Sequence, residues 1–266
     1  EVEGEGADAR LSYNGVVFNE MKGALSDHDD MLYQALSRQL FPDTAYRFES
    51  GGNPRAIPTL TYEEFLQTHA RHYALPNSYT VLYGDMDIDR ELAFIDERFR
   101  NAAERDAGEP NPLALQAPVS PAPARVEMAT AAGNASVGVS YVIGSAADRT
   151  RVLAADVLLD ALCGSNEAPL KRRVMDAGLA DDFQAMLLDG MLQPQAMFQL
   201  KGTREGAAEK FRALLEETCA ELAEKGIPRD KLSAALAQAE FNLREGDWGG
   251  YPDGAALSMC VMSSWL

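Results

Sequence analysis

The sequence predicts an α+β fold, with two-layer domains in which a largely antiparallel sheet carries helices on one face. Three observations predict it. Val137, Val139, Tyr141 and Ile143 alternate with less apolar residues at the period of a half-buried strand. Strand-like stretches pair up as hairpins, and helical-period segments follow them in blocks. A stretch rich in Pro, Ala and Gly, Asp106 to Pro123 (DAGEPNPLALQAPVSPAP), breaks both periods and separates two parts of similar grammar. On this reading residues 1–106 are the later part of one domain, 107–124 a linker, and 125–266 a second, homologous-looking domain. The first domain is then incomplete.

In the first part, Gly15 to Leu25 and Asp29 to Phe41 read as helices. Met31, Leu32, Ala35, Leu36 and Leu40 share one face of the second, and Ser26 with Asp29 forms its capping box. Gly51-Gly52-Asn53-Pro54 marks a turn. Thr61 with Glu64 is another capping box, opening a helix that runs to about Tyr73. Ser78 to Tyr83 reads as a short strand closed by Gly84. Asp89 to Arg100 is a helix with Leu92, Ile95 and Phe99 turned inward.

The second part opens with two strands, Arg125 to Ala131 and the alternating segment around Val137 to Ile143. Helices follow from Asp148 to Cys163 and from Ala168 to Ala177, the latter stopped by Gly178. Phe183 to Leu188 and Ala196 to Lys201 form a hairpin. Two long helices, Glu205 to Lys225 and Arg229 to Glu245, are punctuated by a C-cap Gly226 and an N1 Pro228. A last helix runs from Ala255 to Leu266.

Composition excludes several classes. Apolar residues at 46% and charged residues at 24% suit a globular protein. No uninterrupted apolar run of about 18 residues spans a bilayer, so no membrane partner is expected. A net charge of −17 repels a phosphate backbone, which argues against nucleic acid. Cys163, Cys219 and Cys260 are odd in number and far apart, and the first two lie in helical apolar patterns as small hydrophobes. With no targeting segment in view, a reducing compartment, the cytoplasm, is expected. The acidic start without an initiator Met and the uncapped final helix lead us to expect an internal piece of a longer polypeptide.

The decisive segment for function is Gly15 to Gly23, GVVFNEMKG. By pattern alone it is an apolar helical start bearing one acid, and such an acid is ordinarily solvated or paired along the helix. However, GVVFNEMKG, followed by DMLYQALSRQLFPDTAYRFESGGNPRAIPTLTYEEFLQTHARHYALPNSYTVLYGDMD, closely resembles the pitrilysin/insulinase family of zinc peptidases. It is nearest the branch of presequence proteases and falcilysin-like enzymes. The resemblance is strong from Gly15 to Asp87 and continues more weakly through LCGSNEAPLKRRVMDAGLADDF to the final MSSWL.

The resemblance implies a zinc metalloendopeptidase that closes two such halves around short unstructured peptides. Family members bind zinc through two histidines of an H-x-x-E-H motif whose glutamate is the general base, with a third, glutamate ligand on a separate helix. Glu20 falls on that third-ligand position. The chain contains no H-x-x-E-H, so no catalytic residue is expected within it and the isolated chain should be inactive. The motif is expected upstream in the natural polypeptide, and the expected partners are peptide substrates and the remaining segments of that polypeptide. A second glutamate that some branches place before the third ligand is replaced here by Tyr13.

Of the three histidines, His28, His69 and His72, the last two could share a helix face and bind metal, but their helix resembles a packing element. Lys171-Arg172-Arg173 reads as a solvated face, and Glu63-Glu64 is explained by capping. Gly51-Gly52 is a turn rather than a phosphate cradle. Met186, Met191 and Met197 read as core or near-core. The alternative to an enzyme is a non-catalytic structural or regulatory member of the same family.

Overall fold

The computed structural model of the chain describes all residues except Glu1, Glu5, 103–113, Ala132, Asp247 and Leu266. Part of the expected linker (107–113) and the final residue of the last expected helix therefore lie outside the described residues. The described residues form two compact units, one of 1–54 with 115–246 and one of 55–114 with 247–266.

The first unit is built on a three-stranded antiparallel sheet, β3 (Ser136–Val142), β4 (Asp182–Leu188) and β5 (Gln195–Lys201), in the order β3-β5-β4. Val139 pairs with Phe198, and Phe198 with Ala185, so alternate residues of all three strands share a face. On that face Phe183, Phe198 and Leu200 meet Leu159, Leu170, Val174, Phe211 and Leu215. These come from α5 (Arg149–Cys163), α6 (Pro169–Asp176) and α7 (Ala207–Lys225). Phe183, Phe211, Leu170 and Leu200 are wholly enclosed, each burial stabilising by roughly 1.5–3 kcal/mol. α8 (Arg229–Arg244) packs on the far side of α5 through Ala235 against Val157 and Ala161. The α+β assignment thus holds, with its helical layer in place.

Local chemistry explains the helix ends. Asp148 caps α5 by accepting from the Arg151 amide. α7 stops at Gly226, whose φ of +82° is open to glycine without a Cβ penalty. Pro228 is the N-cap of α8 rather than its first helical residue.

The opposite face of the sheet is polar, yet part of it is buried. Gln195 and Gln199 are almost fully enclosed, with Ser140 Oγ donating to Gln195 Oε1 at 3.2 Å. Here α2 (His28–Leu40) covers β3, and Leu32 and Leu36 lie against Gly138, where an added Cβ would stand 2.9 Å from Leu36. α1 (Val16–Ala24) precedes α2, and a minimal ribbon, β1 (Val2–Glu3) with β2 (Arg10–Leu11), precedes both. The N-cap of α2 is Asp27, which accepts from the Asp29 and Asp30 amides. Ser26 instead donates to Lys22 O, because only the Asp27 carboxylate reaches the open amides.

Other expectations in this unit change. Arg125 to Ala131 forms no strand, since no described segment pairs with it. The Lys171–Arg173 cluster is not merely solvated. Lys171 faces Asp182 at 3.9 Å, Arg173 meets Glu221 at 2.6 Å and donates to Thr218 at 3.3 Å, and Arg172 faces Glu167 and Asp176. Two of its three cations therefore tie α6 to its neighbours. Met197 is buried, Met191 half-buried, and Met186 reaches the surface. Burial pushes the Cys163 thiol up to about 12, whereas Cys219 lies exposed on α7 rather than in the core.

The second unit contains α3 (Tyr62–His72), α4 (Ile88–Arg100) and α9 (Asp253–Trp265). The predicted capping box of α3 is complete: Thr61 N donates to Glu64 Oε2 at 2.9 Å, and Glu64 N to Thr61 Oγ1 at 3.1 Å. The Thr61 amide and, at 3.1 Å, the Thr61 hydroxyl both donate to Glu64 Oε2 and hold its carboxyl below the usual range. Ser78 to Tyr83 forms no strand, because no described segment offers a ladder. On α4, Ile95 is half-buried, but Leu92 and Phe99 are exposed rather than inward.

Candidate functional site

Glu20 lies in the second turn of α1. The helix begins at an extended Gly15 with no side-chain cap, and Asn19 Nδ2 donates to Asn14 Oδ1 at 2.8 Å across its first turn. Phe18 anchors the local cluster: Tyr13 meets it edge-on at 5.9 Å, and Lys22 Nζ sits 5.5 Å from its centroid. The Glu20 side chain is exposed, and no hydrogen bond or ion pair joins it to a described residue. A carboxylate presented this way keeps its lone pairs available. It fits a zinc ion as one donor, and a catalytic site requires about three from the protein.

Among the described residues, Glu20 belongs to no group of three side chains able to hold a metal ion. His69 stacks on Tyr73 at 4.6 Å and 11°, and the His72 ring is 3.4 Å from the Arg71 guanidinium. These are the packing roles expected of an exposed helix end. Both line a recess of about 790 Å³ with Tyr79 and Asn77. A groove of about 600 Å³ lies between α2 and residues 119–126, lined by Met31, Arg38 and Val126. Neither is lined by Glu20.

One constellation carries no motif in the sequence. Asp27, His28 and Asp29 place a carboxylate, an imidazole and a second carboxylate within 4.8 Å of one another. Their donor atoms are already engaged. Asp27 caps α2, while Asp29 accepts from Lys201 Nζ at 2.6 Å and Gln199 Nε2 at 2.5 Å and faces His28 Nε2 at 3.1 Å. Burial alone would raise the Asp29 carboxyl, but the hydrogen bonds from Lys201 and Gln199 outweigh it and hold it below its usual range. The cluster is a helix-start network rather than a metal site. The one signal in the sequence was Lys201, a cation ending an otherwise uncharged strand.

Comparison with known proteins matches residues 59–239 to the Peptidase M16 inactive domain. The chain is 36% identical over 98% of its length to "Protein HypA" of Clostridium perfringens, covering 27% of that protein. It is 31% identical over 96% of its length to presequence protease 1, chloroplastic/mitochondrial, of Arabidopsis thaliana, covering 24% of it, and 29% identical to the mitochondrial presequence protease of Mus musculus over a similar span. The chain thus spans about a quarter of the length of these relatives. Among solved structures, the peptidase M16 inactive domain from Pseudomonas fluorescens superposes with a TM-score of 0.69 at 17% identity, covering 94% of this chain and 58% of that one. Complex III2 from Candida albicans reaches 0.72 at 13%, covering 93% and 60%. At those identities the likeness concerns fold alone. The chain belongs to the M16 peptidases, the pitrilysin/insulinase family, on its presequence-protease-like branch.

Proposed function

We propose that this chain is part of a zinc metalloendopeptidase that hydrolyses short unstructured peptides within a closed chamber, and that Glu20 is its third protein ligand to zinc. The observation that carries the reading is an exposed carboxylate on α1, joined to no other described residue by a hydrogen bond or ion pair, in a segment that resembles the family's third-ligand helix. The M16 inactive-domain match covers 59–239 and leaves Glu20 outside it. On this reading 1–106 ends a zinc-binding domain, 107–124 is a linker and 125–266 is a second domain, with the match taking in the later part of the first.

When bound, zinc would act as a Lewis acid on the scissile carbonyl. This chain would contribute the charged ligand and the helix that presents it, while the two histidines and the general base come from elsewhere in the full-length protein. The thiols of Cys163 and Cys219 suit a reducing, cytoplasmic setting. Relatives whose names give a compartment are mitochondrial or chloroplastic, so cell fractionation decides the location. No described helix is long and apolar enough to cross a membrane.

The test is cleavage by the full-length protein of an unstructured peptide and of a folded protein of similar composition. The reading expects cleavage of the peptide alone, and its loss in Glu20→Gln. Wild-type cleavage by Glu20→Gln would refute the ligand role. A full-length sequence without an intact H-x-x-E-H would turn the assignment to a non-catalytic, structural or regulatory member.

A further inference from the structure

α1 has no buried residue of its own, and nine residues are too few to hold a helix in place by propensity. Its direction must be inherited from what it is tied to. The turn joining it to α2 is hydrogen-bonded at every residue. Leu25 N donates to Met21 O at 3.1 Å, Ser26 N to Gly23 O at 2.9 Å, and Asp27 N to Ala24 O at 3.1 Å. Ser26 Oγ adds a bond to Lys22 O at 2.7 Å. So tight a connector transmits the orientation of α2 to α1.

α2 is in turn seated on the second part of the chain at two places. Midway along it, Leu32 and Leu36 lie against the bare backbone of Gly138 on β3. At its N-terminal end, next to the connector, Asp29 is gripped by Lys201 and Gln199 of β5 at 2.6 and 2.5 Å, from more than 165 residues away in sequence. His28 Nε2 faces the same carboxylate at 3.1 Å. The grip is partly enclosed: the Lys201 and Asp29 side chains are 28% and 38% exposed. The donors sit on a strand whose other face is the main core, so they are fixed points rather than mobile surface groups.

We propose that Asp29, Lys201 and Gln199 form a positioning latch that, through the 25–27 turn, aims α1 and the Glu20 carboxylate at the zinc site. The latch rests on the reading of Glu20 as a zinc ligand and deepens it. The second part of the chain thereby acts on the metal without touching it. Metal ligands need placement within about 0.5 Å, and loss of an outer support typically lowers metal affinity by about 10–100-fold.

The test is zinc affinity of the full-length protein by chelator competition, with each variant kept well below its unfolding temperature. Lys201→Met is expected to weaken zinc binding about tenfold or more. Lys201→Arg, and the exchanged pair Asp29→Lys with Lys201→Asp, should recover most of that loss. Gln199→Leu keeps the ion pair and should cost about threefold, which serves if Lys201→Met does not fold. The decisive arm is Lys201→Met in the Glu20→Gln background. A latch that works through Glu20 adds nothing there, whereas a merely structural lysine weakens zinc equally in both backgrounds. Equal weakening, or wild-type affinity in Lys201→Met and Gln199→Leu, overturns the latch and leaves Glu20 standing. Unchanged affinity in Glu20→Gln alone refutes the ligand reading and the latch together.

Discussion

The two units use the same helical grammar and arrive at opposite degrees of burial. In the first, Phe183, Leu200 and Phe211 are sealed between a sheet and three helices. In the second, Phe65, Leu92, Phe94 and Phe99 are between 42% and 62% exposed, and Ala74 and Ala256 are its buried apolar residues among those described. α3 nevertheless carries a complete capping box, and α4 is capped by Asp87. Local signals thus suffice to start and stop a helix, while burial needs a partner surface. Stability in this chain should accordingly reside in 1–54 with 115–246.

The largest expected effect tests that contrast directly. Phe211→Ala should cost about 3–5 kcal/mol in urea unfolding of the 266-residue chain, as a fully enclosed aromatic does. Phe99→Ala should stay within about 0.5 kcal/mol. Equal losses would break the comparison. Gln193→Leu comes next, at about 1–3 kcal/mol, because Gln193 accepts from the Gln116 amide at 2.6 Å and donates to its carbonyl at 3.1 Å, both buried.

In the second unit Thr61→Ala should cost about 1 kcal/mol, read as faster amide exchange confined to the first turn of α3. Protection lost throughout 55–114 would mean that the unit is more cooperative than its exposed face allows. The smallest effect is that of Asp29, at under about 1 kcal/mol because its side chain is more than a third exposed. Its carboxyl is lowered in the fold, so its contribution is present above the ordinary carboxyl value of about 3.9 and is lost as pH falls through the folded one. The gap in urea midpoint between wild type and Asp29→Asn should therefore close on acidification, and a gap that widened would contradict the ion pair.

What could be read in the sequence follows the same division between local and partner-dependent structure. The alternation at Val137, Val139 and Ile143, the hairpin of Phe183 and Leu200, and the Thr61–Glu64 box were legible because each is decided within a few residues. Ser78 to Tyr83 and Arg125 to Ala131 have strand-like composition, but a strand exists only where a neighbour supplies its ladder. Periodicity points Leu92 and Phe99 inward, but it marks a face without showing what covers it. The buried Gln195 and Gln199 alternate like solvent-facing residues, and only the fold places α2 over Gln199. At the candidate site, Glu20 is a candidate through family resemblance alone. The grip of Lys201 on Asp29 spans too much sequence for any motif to carry.

The most direct test of the central claim, that Glu20 holds zinc, is the metal content of the full-length protein and its Glu20→Gln variant, by elemental analysis after desalting. About one zinc per chain is expected in the wild type, with a sharp loss in the variant. Equal zinc in both would contradict it.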